Sequence, residues 1–106
     1  MKIVEKLCDM IAEELDDAEK YVRCAMEKKA EYPVLAEVFY KLSEEEMKHM
    51  AILHEQVTAI IEDYRKKNGA PPEPMMAVYD YLHRKQIEHA SEVKAMQALY
   101  KTPNAV

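Results

Sequence analysis

Helix breakers stand at two places inside this chain, and they leave three long stretches that nothing interrupts. The first is Pro33, after the residues AEY. The second is NGAPPEP (Asn68 to Pro74), which holds the only glycine and three of the five prolines. Proline lacks the N–H that a helix interior needs, and glycine costs more conformational entropy than any other residue, so both punctuate. Between them Ala, Glu, Lys, Met and Leu are abundant, a balance that favours helix over sheet. The pattern predicts an all-α chain with helices over about 3–29, 33–67 and 75–101, within a single domain spanning 1–106. The segments share a general periodicity and no internal repeat. A chain of 106 residues builds a modest core, which association with a second copy would enlarge.

Several function classes drop out on composition. The formal net charge is −5, and no basic face is visible that could follow a phosphate backbone, so nucleic acid is not an expected partner. No apolar run approaches the ~20 residues needed to cross a bilayer, so no membrane partner is expected, and MKIVEKLCDM carries acids too early for a signal peptide. Cys8 and Cys24 fall on one predicted helix about 24 Å apart, too far to bridge each other. The expectation is a reduced, cytoplasmic protein.

Each helix carries an apolar seam with polar residues near its middle. In the first it reads Val4, Leu7, Ile11, Glu14, Ala18, Tyr21, Ala25, with Glu14 the one charged member. In the second it reads Leu35, Phe39, Leu42, Glu46, His49, Leu53, Val57, Ile60, Tyr64. In the third it reads Met75, Tyr79, Leu82, Gln86, His89, Val93, Met96, Tyr100. The second helix has another, narrower stripe: Met47, Met50, His54, Val57, Ile61. Such a helix is expected to touch both its own chain and a partner.

If the first two helices form an antiparallel hairpin turning near Glu31 and Tyr32, Glu14 comes opposite His49, with Glu46 one turn away. The charged residues of both seams then collect at one height. Isolated buried ions cost several kcal/mol each unless something compensates, so this coincidence needs a reason. Two carboxylates and an imidazole suit iron or manganese and tolerate zinc. The i, i+3 spacing puts Glu46 and His49 on one helix face. Dinuclear carboxylate bundles use a lone Glu on one helix and Glu-x-x-His on another, each twice. This chain supplies each element once, and a two-fold dimer would supply the full set.

ELDDAEKY (Glu14 to Tyr21) followed by EMKH (Glu46 to His49) resembles the first half of a ferritin-like protein, above all a rubrerythrin. The resemblance covers about residues 7–60. It implies Glu14 as the single-helix ligand, Glu46 as a bridging carboxylate, His49 as a terminal ligand and Tyr21 as a hydroxyl behind them. The chain departs from the full-length pattern: no second Glu-x-x-His follows, and no Cys-x-x-Cys pair marks a rubredoxin-like module. It is closer to the encapsulated ferritins, which look like half-ferritins and complete the site across a subunit interface. The implied fold is a ferritin-like three-helix subunit whose four-helix core is completed by dimerisation. The implied cofactor is two iron ions per dimer, with manganese or zinc as alternatives. The implied partners are a second copy (or a higher oligomer) and O₂ or peroxide as oxidant, in a ferroxidase or peroxide-reducing role.

Other readings of the same residues stay open in the sequence. Four His and fifteen Glu give ~0.6 chance Glu-x-x-His matches, so the motif gains weight only from lying on the seam. Ser43-Glu44-Glu45-Glu46 fits a capping box at a fresh helix start. A Glu14–His49 ion pair could set register without metal, in a metal-free helical adaptor. His54 and His83 read as partly exposed or core-lining residues. His89 stands nearer to a ligand because of Gln86, and Glu92 is a further candidate. Asp80 and His83 share the i, i+3 spacing but lie away from the expected level. The eight Met read as gap-filling core residues, and Glu44 and Glu45 as solvent-facing.

Overall fold

The computed structural model describes residues 1–103. Three helices account for nearly all of them: α1 (Lys2–Lys28), α2 (Pro33–Asn68) and α3 (Glu73–Lys101), with no strand among the described residues. The turn from α1 to α2 is closed by the Tyr32 N–H donating to the Lys28 carbonyl at 2.8 Å. Pro33 then opens α2, where its missing N–H would have had no helical partner anyway. α2 stops at Gly69, whose φ of 79° favours glycine and whose N–H donates to the Arg65 carbonyl at 3.0 Å. Arg65, Lys66 and Lys67 place positive charge against the carbonyl end of α2. α3 starts at Glu73, ahead of Met75, because Pro74 fits the first turn of a helix and does not block it.

α1 and α2 run antiparallel, and α3 returns antiparallel to α2 and parallel to α1. The molecule measures 57 × 20 × 16 Å, with a radius of gyration of 17.0 Å. A compact globule of this length would have about 13 Å. It is therefore a thin rod, and its core comes in two patches. One joins Val4, Cys8, Ile11 and Leu15 of α1 to Val57 and Ile61 of α2. The other joins Ala25, Ala36, Tyr40 and Tyr100 near the α1–α2 turn. There the Tyr40 and Tyr100 rings stack at 4.9 Å. Lys29 donates to the carbonyls of Tyr100 and Thr102, satisfying the end of α3.

The stripes that bury differ in part from those read off the sequence. On α1 the fully covered residues are Val4, Cys8, Ile11, Leu15, Ala18, Val22 and Ala25. Leu7, Glu14 and Tyr21 are only half-buried, because α3 packs on the side of Cys8 and Leu15 and draws the centre of the core that way. On α2 the narrower stripe turns inward, with Val57 and Ile61 buried and Met47, Met50 and His54 half-covered. Leu35, Leu42 and His49 of the wider seam are exposed. The α3 seam faces inward as expected, with Val93 and Tyr100 buried and its other members half-buried. Each Leu or Ile so covered stabilises by about 1.5–3 kcal/mol.

Candidate metal centre

Glu14 lies midway along α1, and Glu46 and His49 lie one turn apart on α2. The hairpin register brings them together. His49 Nδ1 is 3.5 Å from Glu14 Oε2 and 3.6 Å from Glu46 Oε2. One donor atom from each residue falls within 4.8 Å of the other two, and this is the Glu/Glu/His group found among the described residues. The side chains of Glu46 and Glu14 are 18% and 25% exposed, whereas His49 is 51% exposed, so the cluster sits under the surface and opens through its imidazole.

The electrostatics of the group are unbalanced. With both carboxylates ionised, Glu14 Oε2 is buried without a hydrogen-bond donor, and a proton held between Glu14 and Glu46 is the relief the chain itself offers. The pKa of Glu46 is pushed up to about 7, first by the Glu14 carboxyl as a partner for a shared proton, then by burial and the Glu14 charge, with His49 pulling it back down. Two carboxylates this close cannot both ionise comfortably without a cation between them. A divalent ion would replace the shared proton, partner the orphaned oxygen and use the imidazole. With metal–ligand bonds of about 2.0–2.2 Å, donors on one ion sit roughly 3–4 Å apart, close to the separations here. The residues therefore fit a metal of the iron, manganese or zinc class.

The capping-box reading does not survive. α2 runs unbroken through Ser43–Glu46, and the buried Ser43 hydroxyl leaves its own helix to donate to the Ala18 carbonyl at 2.7 Å. Tyr21 stacks on Phe39 with ring centroids 6.3 Å apart, and among the described residues no hydrogen bond joins its hydroxyl to the cluster. Glu44 accepts from the Tyr40 hydroxyl at 3.3 Å, so it is held within the chain, while Glu45 is exposed. His89 is taken by Glu19, Nε2 to Oε1 at 2.8 Å, and Glu92 is exposed. His54 and His83 meet each other, not the cluster.

The seams held Tyr21, Leu35 and Leu42 of the surface on the cluster's open side, and left out Met10, Val38 and Ile52 beside them. Met10 on α1 and Val38 and Ile52 on α2 are exposed, together with Leu35 and Leu42. By register Met10 and Ile52 share a level on one side of the cluster, and Tyr21 and Leu42 share one on the other. An i, i+3, i+4 count from Glu14 and His49 outward would have found this stripe. Among the described residues no helix is long and apolar enough to cross a membrane.

No curated protein and no solved structure matches the chain. A family model does, the one described as Rubrerythrin, and it matches residues 5–106, all but the first four. Together with the helical architecture and the Glu/Glu/His group, that match assigns the chain to the rubrerythrin family, within the ferritin-like superfamily.

Proposed function

We propose that two copies of this chain join through the open α1–α2 faces and hold two iron ions between them, and that the assembly oxidises ferrous iron or reduces O₂ or peroxide. One observation carries the reading. The Glu14–Glu46–His49 group has an orphaned buried oxygen and opens onto a face of exposed apolar side chains. Family membership supports iron over other metals of the class. A lone half-set with one imidazole is coordinatively poor. Two copies would bring four carboxylates and two imidazoles, the set used by dinuclear bundles, and would cover Leu35, Val38, Leu42 and Ile52 in the same step.

The iron pair supplies the electron exchange with the oxidant. Everything else falls to the chain. Glu14, Glu46 and His49 would hold the iron, two carboxylates and one imidazole from each copy. Because Glu46 keeps its proton up to about pH 7 in the free protein, it is the residue that releases a proton as a cation arrives. Met10, Leu42 and Ile52 wall the site against bulk water, which strengthens each charged interaction inside. The free thiols of Cys8 and Cys24 are compatible with a reducing cytoplasm, where we place the protein's work.

Native mass spectrometry before and after anaerobic addition of ferrous iron tests this directly. The expected result is a dimer that gains two irons, and a Glu46→Ala variant that gains none. A dimer that takes up no metal would leave the three side chains as a buried polar group and favour the metal-free adaptor.

A further inference from the structure

Five residues past His49, α2 presents another imidazole, on the side that faces α3. His54 Nε2 and His83 Nε2 are 3.0 Å apart. The ring centroids are 4.8 Å apart and the planes differ by 13°. Tyr79 stacks on His83 at 5.6 Å. Among the described residues no carboxylate lies within ion-pair distance of either ring. Burial, and then His83, hold the pKa of His54 below the usual histidine value, with Glu55 opposing. The pair borders a cavity of about 170 Å³ whose wall also contains Met50, Gln86, Ile87 and Ala90. Two half-buried imidazoles aimed at each other beside a cavity with room for several waters, with no acid to hold them as cations, need a reason beyond packing.

We propose that His54 and His83 form a second metal site, taking a borderline divalent cation of the zinc class through both Nε2 atoms. The chemistry of the donors selects the class. Imidazole without carboxylate suits zinc and its neighbours and disfavours the hard cations that want oxygen. Zinc–nitrogen bonds of about 2.0–2.1 Å at a tetrahedral angle separate two nitrogens by about 3.3–3.4 Å. The pair needs to open by ~0.3 Å, and both rings to turn by roughly 35°, so that lone pairs now aimed at each other converge on one ion. In the metal-free state one Nε2 donates its hydrogen to the other. On binding, the donor ring carries its hydrogen on its own Nδ1 instead, so no electron moves and no net proton is released. The cavity accommodates the remaining ligands as water, with the Gln86 amide oxygen and the Met50 thioether as further donors in its wall. The site would tie α2 to α3 along a stretch where those two helices are otherwise joined by few contacts, and it stands independently of the Glu14–Glu46–His49 reading.

The test titrates Zn²⁺ against a chromophoric competitor in a His49→Gln protein, so that the first cluster lacks its imidazole. The expected result is one ion per chain, with His54→Gln and His83→Gln each weakening binding by about tenfold or more. An affinity unchanged within about twofold by both substitutions overturns the proposal and leaves a plain hydrogen bond. Because either substitution could disturb packing, ¹⁵N resonances of the imidazoles are followed in the His49→Gln protein with the pair intact. Zn²⁺ should move the Nε2 signals of His54 and His83 and leave those of His89 in place. Stationary His54 and His83 signals under saturating Zn²⁺ would equally overturn it.

Discussion

One helical turn separates two polar interruptions of the α1–α2 contact, and they have opposite characters. Ser43 is fully buried, donates to the Ala18 carbonyl at 2.7 Å and accepts from the Gln97 amide at 3.0 Å, so one hydroxyl ties all three helices together. Glu14, Glu46 and His49 are only partly covered and include a buried oxygen with no hydrogen-bond partner. The first group is complete within the chain. The second is complete only with something from outside it. Buried polar atoms are nearly always satisfied, so an orphan beside an exposed apolar stripe marks a place where a ligand and a second surface belong.

The comparison breaks first at the open face. Leu42→Glu puts a charge into the surface that should be covered by a second copy, beside three existing acidic or imidazole groups. The dimer should weaken by about a hundredfold or more, equivalent to ~3 kcal/mol, and ferrous iron uptake should fall with it. Helix content should not change, because Leu42 is exposed in the single chain. Sedimentation velocity reads the outcome. An unaltered sedimentation coefficient would mean that this face is not where the copies meet.

Ser43→Ala probes the complete group. Removing the hydroxyl leaves the Gln97 amide without its partner, at a cost of about 1–3 kcal/mol. For a domain of this size each kcal/mol lowers the melting temperature by roughly 4–8 °C. Iron uptake should be untouched at temperatures where the variant is folded. Loss of iron binding in a folded Ser43→Ala protein would show that the two groups are one network, and the distinction drawn here would fail.

The pH dependence of the metal-free protein sharpens the contrast. Glu46 has an ordinary value of 4.5 and a folded value of about 7, so the folded state binds more protons than the unfolded state between these values. Its contribution is fully present below about pH 4.5 and is lost as the pH rises through about 7. In chelator, the melting temperature should therefore decline across that window, and Glu46→Gln, which cannot ionise, should flatten the decline. Metal affinity should run the other way and climb through about pH 7, since the ligand form is the carboxylate. Thermal melts at several pH values with and without chelator check both halves. A melting temperature that rises between pH 4.5 and 7 in the wild type, and equally in Glu46→Gln, would separate Glu46 from the effect.

How much of this was legible in the sequence follows from where the partners of each residue lie. The three-helix architecture was legible because Pro33 and NGAPPEP break a chain of strong helix formers. The approach of Glu14 to Glu46 and His49 was legible because a hairpin with a short turn fixes its own register. Which stripe of α1 and α2 turns inward was not. Both helices carry apolar residues on more than one side, and spacing cannot say which side its own third helix will cover. Hence Cys8, Leu15 and Val22 took the places expected for Leu7, Glu14 and Tyr21. Contacts to α3 were hidden for a related reason. Ser43 with Gln97, His54 with His83, and Glu19 with His89 are pairs whose members lie on different helices, several of them singled out on their own helix for another role, and they meet only through a register set by the NGAPPEP turn.

The smallest effect belongs to Glu19 and His89, which join α1 to α3 at 2.8 Å near the surface. Glu19 also holds Arg23 at 2.8 Å, so it keeps a partner when His89 is replaced. His89→Gln should therefore cost under about 1 kcal/mol, seen as a small drop in the urea midpoint. The Glu19 carboxyl is held below the ordinary carboxylate value, by Arg23 first and His89 second. Its stabilisation is present above pH 4.5 and is lost as the pH falls through the lowered folded value, so both substitutions should soften the acid limb of the stability curve, Arg23→Gln more than His89→Gln. A His89→Gln loss as large as that of Ser43→Ala would mean that α3 is held to α1 by this one pair, and not by the hydroxyl that all three helices share.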